Sequence, residues 1–256
     1  MSEAAFISLL AALGAVVGSF LNVCIYRIPR GQSIVWPASS CESCRRTLTW
    51  YENLPIVSWA LLGARCRTCR HPLSVVHPVV EAVTAVMFGA AAWYYGPTLL
   101  LASRLVFGCA LIVLFAIDLE HHLLPNVITL PGIVVGFALS AMTEPGWVAS
   151  LIGIVVGGGM LWVIAEVYYR VRREEGLGMG DVKMLAMIGA FIGWQLTIVT
   201  LMMASFAGSI VGVALILARK GDMKYALPFG TFLAMGAALA ATMGQGLLSW
   251  YLGFYS

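Results

Sequence analysis

The sequence predicts an all-α, polytopic membrane protein: a bundle of about eight transmembrane helices carrying a small cytosolic zinc-binding loop domain. Three observations predict it. Of the 256 residues, 61 % are hydrophobic and 11 % are charged, against roughly 25 % charged in an ordinary soluble domain. Apolar runs of about 20 residues recur along the chain, each long enough to cross a hydrocarbon core of roughly 30 Å as a helix. The basic residues are gathered in particular connectors, which sets an orientation as well as a number of spans. Membrane lipid is therefore the expected surrounding, and no nucleic-acid partner is expected.

The eight spans are Ala4 to Ile25, Val79 to Tyr95, Thr98 to Ile117, Leu124 to Met142, Trp147 to Tyr169, Val182 to Trp194, Gln195 to Leu217 and Phe229 to Leu252. The sixth is short: at about 1.5 Å per residue it covers roughly 20 Å, so it must thin the bilayer, start inside it or borrow from its neighbours. Arg27, Arg30, Arg45, Arg46, Arg65, Arg67 and Arg70 all fall in the first and longest connector, which is therefore expected in the cytosol. Alternation from there puts Arg170, Arg172 and Arg173 in a second inside loop and Arg219, Lys220 and Lys224 in a third. Gly96-Pro97 and Thr143 to Gly146 fall outside with no basic residue. No Lys or Arg precedes the first apolar run, so an uncleaved first helix with its N-terminus outside is expected rather than a secretory signal. The chain then divides into a first helix (1–25), a cytosolic loop domain (26–78) and a membrane bundle (79–256). Gly153 and Gly157, four apart in the fifth span, predict a close helix-packing face. Glu166 and Arg170, also four apart, predict a structural ion pair.

Four of the six cysteines form Cys41-x-x-Cys44 and Cys66-x-x-Cys69. Disulfides are disfavoured in the reducing compartment to which the charges assign this loop. Two such pairs match a tetrahedral four-thiolate zinc site that folds a loop too small for a core of its own. Four thiolates leave no open coordination position, so this zinc is expected to be structural. Redox-active dithiols are the competing reading, but nothing around either pair resembles a thioredoxin motif. Cys24 and Cys109 lie in apolar spans and read as core residues.

Asp118 follows the third span, and Asp181 closes Gly178-Met179-Gly180-Asp181 and opens the sixth. The inferred topology brings both to the cytosolic face. Ionisable groups at a membrane edge are costly, which makes them functional candidates. Two close carboxylates cannot both ionise easily, so one proton is shared, and the pair can serve as base and acid in peptide hydrolysis. Spacing alone leaves a second reading open: Asp181 caps its helix while Asp118 pairs with His121 or His122. Glu81, near the cytosolic end of the second span, has no role assigned by spacing. An ion pathway would place its carboxylates near mid-membrane in repeated halves, and no repeat is visible.

An ordered series of motifs resembles the type IV prepilin peptidases, also called leader peptidase and N-methyltransferase. It comprises Gly18-Ser-Phe-Leu-Asn22 through Tyr26-Arg27-Ile-Pro29, then Cys41-x-x-Cys44, Tyr51-Glu-Asn53-Leu-Pro55, Cys66-x-x-Cys69 and His77-Pro-Val-Val-Glu81. It continues with Ile117-Asp118, Leu124-Pro125-Asn126 and Gly178-Met-Gly180-Asp181-Val-Lys183. The resemblance implies that Asp118 and Asp181 are the catalytic pair, that Cys41, Cys44, Cys66 and Cys69 hold zinc, and that the enzyme sits in the bacterial inner membrane. It implies prepilin or pseudopilin substrates of type IV pilus, type II secretion or competence systems. Their short basic leader is cut after a glycine on the cytosolic side, and the new N-terminus is methylated from S-adenosylmethionine. No cofactor pocket is legible: the chain has no Gly-x-Gly-x-x-Gly following a strand. Where the family often carries Gly-Lys before the third cysteine, a place linked to methylation, this chain has Ala64-Arg65.

Overall fold

The computed structural model describes residues 2–41, 43–173, 178–218 and 227–253, and among them the regular structure is helical. The eight helices are α1 (Glu3–Arg27), α2 (Val57–Leu61), α3 (Val76–Tyr95), α4 (Leu99–His121), α5 (Asn126–Ser140), α6 (Trp147–Arg172), α7 (Met179–Ala218) and α8 (Phe229–Leu252). A single 3₁₀ turn, Trp50–Asn53, precedes α2. Six of the long helices are apolar enough to cross a membrane, and α5 is a shorter apolar helix. The connectors carrying Arg219, Lys220 and Lys224 lie outside the described residues.

The expected sixth and seventh spans form the two arms of α7, parted at Gly193, whose φ of 77° and ψ of 170° leave the helical region. The chain folds back there. A Cβ on Gly157 would lie 2.6 Å from the Leu185 carbonyl oxygen and 3.1 Å from the Thr197 side chain, yet these residues would stand about 18 Å apart along a straight helix. Only glycine adopts this backbone readily. The break falls next to the expected boundary at Trp194, and the first arm is short, as its sequence predicts. Counted as arms, the apolar segments number eight.

The chain divides into two compact units, Met1–Val113 and Leu114–Ser256. In the first, α1 and α3 pack closely because Gly14 and Gly18 offer no side chain. A Cβ on Gly14 would meet Phe88, and one on Gly18 would meet the Glu81 backbone at 2.7 Å. Asn22 Nδ2 donates to the His77 carbonyl at 3.1 Å across the same seam. In the second unit, α6 presses on the first arm of α7 through Gly153 against Gly189 and Gly157 against Leu185, the packing face expected from their spacing. Ser140 and Ser150 both donate to the Ala190 carbonyl at 2.7 Å, so these two hydroxyls, buried in the apolar interior, are paired. The expected Glu166–Arg170 pair is present at 2.7 Å.

Candidate active site and metal centre

The two Cys-x-x-Cys segments fold into turns of the same build. In the first, the Cys41 N–H donates to the Arg46 carbonyl and the Arg45 N–H returns to the Cys41 carbonyl, both at 2.9 Å. In the second, the Cys66 N–H donates to the His71 carbonyl at 2.9 Å and the Arg70 N–H to the Cys66 carbonyl at 3.0 Å. Arg45 and Arg70, each directly after its second cysteine, take left-handed φ values of 55° and 57°. The turns bring the ligand atoms of Cys41, Cys44, Cys66 and Cys69 within 4.8 Å of one another. Cys41 and Cys69 stand with sulfurs 3.7 Å apart, and a Zn–S bond of about 2.3 Å gives a tetrahedron edge of about 3.8 Å. The four thiols fit a four-coordinate zinc ion, and the cluster could hold one.

Glu52 supports these turns from the 3₁₀ segment. Its carboxylate accepts from Arg46 at 2.6 Å and from the N–H and hydroxyl of Thr49 at 2.9 and 2.8 Å. The Arg46 guanidinium, followed by the Thr49 N–H, holds the Glu52 carboxyl down to about 2, against an ordinary 4.5. Stability from a lowered carboxylate is present above its ordinary value and is lost as pH falls towards the folded one. We expect Glu52→Ala to destabilise the loop by about 1–3 kcal/mol, because Arg46 and Thr49 lose a buried acceptor. Zinc release to a chelator should be faster from the variant than from the parent at neutral pH, where the Glu52 carboxylate is ionised.

Ala64, which stands where the resemblance often has glycine, has a φ of 58°. A left-handed residue with a Cβ is disfavoured by about 1–2 kcal/mol. Ala64→Gly is therefore expected to stabilise the loop by about 1 kcal/mol, measured as slower release of the metal.

Both aspartates lie in the second unit and are buried, Asp118 at 4 % and Asp181 at 9 % exposure. Asp118 occupies the last turn of α4, and Asp181 is the third residue of α7. Leu124 ties their surroundings together: a Cβ on Gly180 would meet Leu124 at 2.9 Å, and one on Gly230 would meet Leu124 at 2.9 Å and Asp118 Oδ2 at 3.0 Å. These glycines keep the backbones of α7 and α8 close to the carboxyls. Asp181 is not the N-cap expected of it, because α7 begins two residues earlier at Met179; its carboxylate turns back on Gly178, the residue before the helix, as the third-position acid of a capping box does. Lys183 Nζ donates to Asn126 Oδ1 at 2.9 Å, fixing the start of α5 to the start of α7.

Sequence reasoning missed Thr231. Its N–H donates to Asp118 Oδ2 at 2.6 Å and its hydroxyl to the same oxygen at 3.0 Å. The residue is buried in the first turn of α8, where backbone donors have no partner within the helix. The carboxylate thus serves that helix start, and Thr231 in turn fixes the Oδ2 oxygen of Asp118. Pro228, which stands directly before the helix, is the only sequence signal of that start. The Thr231 donors, rather than the imidazoles of His121 and His122, make the hydrogen bonds found on the Asp118 side chain; His121 stands 3.8 Å from Glu120. We expect Thr231→Val to lower kcat about tenfold or more with KM little changed, since a hydrogen bond to a charged group contributes about 1.5–3 kcal/mol. Thr231→Ser should restore the rate.

The fold and site define a multi-pass membrane protein with two buried aspartates and a four-cysteine loop. Residues 12–95 match the bacterial peptidase A24 N-terminal domain, and residues 105–213 match the type IV leader peptidase family. A prepilin leader peptidase/N-methyltransferase of Pseudomonas putida is 35 % identical over 96 % of this chain and 93 % of its own. The protein so named from Myxococcus xanthus is 42 % identical over 83 % of this chain and 64 % of its own, and that from Pseudomonas aeruginosa 32 % over 98 % and 94 %. No solved structure matches. The chain belongs to the type IV leader peptidase family.

Proposed function

We propose that this enzyme removes the basic leader of prepilins or pseudopilins with Asp118 and Asp181 as its acid-base pair, and methylates the N-terminus so exposed. Family membership makes it a membrane leader peptidase, and its relatives carry both activities in their names. The observation that carries the site assignment is the gathering of two buried carboxyls from α4 and α7 around Leu124, Gly180 and Gly230. In the reaction the ionised carboxylate takes a proton from water as the water attacks the scissile carbonyl. The protonated carboxyl donates to the carbonyl oxygen, and the proton then passes to the leaving amine. The adjacent glycines let an extended substrate backbone approach both groups.

The proposed topology follows the basic residues: N-terminus outside, with the cysteine loop and both aspartates on the cytosolic side. Residues 26–78 form the zinc-binding domain and 79–256 the catalytic bundle. Cys41, Cys44, Cys66 and Cys69 would hold a structural zinc that fixes the loop and leaves no coordination position for substrate. The described cleft along α6 is walled by that helix alone and is apolar apart from Tyr168 and Arg172. It does not fit the charged, ribose-bearing methyl donor S-adenosylmethionine, and we assign none of the described residues to that cofactor.

The test is cleavage of a peptide with a basic leader, a glycine and an apolar helix, followed by mass analysis with S-adenosylmethionine present. The expected products are a free leader and a mature chain heavier by one methyl group. An unmodified mature N-terminus would overturn the methylation proposal, and an intact peptide would overturn the peptidase proposal.

A further inference from the structure

Between the two cysteine pairs runs Leu54-Pro-Ile-Val-Ser-Trp-Ala-Leu-Leu62, an uncharged segment whose polar side-chain groups are the Ser58 hydroxyl and the Trp59 indole N–H. Ser58 satisfies itself by donating to the Leu54 carbonyl at 2.7 Å. The segment contains α2, which buries none of its residues. Val57 and Leu61, four apart and so on one face of α2, are 53 % and 82 % exposed. Such a stretch in a water-bathed loop should be polar, so its covering lies elsewhere.

Its depth follows from the helices that hold it. The Ile56 N–H donates to Glu81 Oε2 at 2.7 Å, and Glu81 is buried. Glu81 stands level with Gly18 across the α1–α3 seam. Counted at about 1.5 Å per residue, that level lies about 21 Å from the Tyr95 end of α3 and about 22 Å from the Glu3 end of α1. A hydrocarbon core of roughly 30 Å that starts at those ends extends some 8 Å past Glu81. A glutamate side chain on a helix leans towards the N-terminus, here the near boundary, and recovers only part of that distance. Ile56 is thus tethered at the edge of the hydrocarbon, and α2 begins with the next residue.

The charge around the segment matches the same surface. The connector from Tyr26 to Pro78 carries seven arginines against two glutamates, in a chain whose net charge is only +3. Arg65 and Arg70 follow α2 closely, and the exposed aromatic ring of Trp50 precedes it. Apolar side chains flanked by an aromatic residue and arginines suit the boundary between acyl chains and anionic headgroups. A basic leader would be repelled by this charge, which favours lipid over substrate as the occupant.

We propose that residues 54–62 form an interfacial segment that seats the cysteine loop in the membrane, with Val57 and Leu61 among acyl chains and the neighbouring arginines on anionic lipid headgroups. Glu81 then acts as the tether that satisfies the Ile56 N–H at that depth.

The experiment uses the full chain with its zinc in nanodiscs of phosphatidylethanolamine and a photoreactive phosphatidylglycerol. Trypsin releases Thr47 to Arg65 as one peptide, on which lipid adducts are counted. Adducts are expected there as well as on α1 and α3. Val57→Asp combined with Leu61→Asp should reduce the loop adducts several-fold while zinc content and α1 labelling stay unchanged. Labelled membrane helices beside an unlabelled loop peptide would overturn the proposal, as would full labelling of the double variant. Loss of the loop adducts on saturation with a basic-leader peptide would give the surface to substrate and also overturn it. The readout is independent of cleavage, so it stands or falls apart from the peptidase proposal.

Discussion

Asp118→Asn and Asp181→Asn are each expected to lower kcat for leader cleavage by about 10²–10⁴-fold, the range that positioned acid-base groups contribute. An amide is close in shape to a carboxyl but can neither accept the proton from water nor lend one to the carbonyl oxygen. Asp118→Asn should also disturb α8, because the Thr231 N–H and hydroxyl both meet Oδ2. Either of these donors can meet the amide oxygen, so the bundle should remain folded and the loss should fall on kcat. Near-normal cleavage by either variant would return the aspartates to the capping-and-pairing reading that spacing leaves open.

The second large effect is on the loop. Cys66→Ser removes a buried ligand from a cluster whose members lie within 4.8 Å of each other, and the loop around it has little other core. Structural zinc contributes about 10–16 kcal/mol in zinc-finger peptides at neutral pH, and that free energy is folding free energy. We expect about one zinc per parent chain and none in the variant. Limited proteolysis should cut the variant within residues 26–78 while the membrane helices stay protected. A variant that loses zinc and keeps a protease-resistant loop would show that Glu52 and its hydrogen bonds hold the loop unaided.

The elements legible in the sequence are those whose cause is local. Apolar runs delimit helices because a membrane span must satisfy its own backbone. The break in α7 was readable to within a residue or two because a span of about 20 Å has to end somewhere, and Gly193 supplies the turn. The Cys-x-x-Cys spacing marks the four-cysteine cluster because two thiolates per turn can reach one ion. Long-range features were not legible. Thr231 reaches Asp118 across 113 residues, and no periodicity links them. Glu81 has no partner that spacing identifies, because the Ile56 N–H that meets it comes from 25 residues away. The arginines of the loop predict a cytosolic position for it as a whole, whereas the uncharged stretch 54–62 within it follows a different physical rule.

The aspartates are held to act as one unit, and the double variant Asp118→Asn with Asp181→Asn tests that most directly. Groups that share one proton path are strongly non-additive: once one is gone, removing the other matters little. The expected result is a double variant no more than a few-fold slower than the slower single variant, with its fold and zinc content unchanged. Losses that instead multiply, each aspartate costing the same with or without the other, would contradict a shared site.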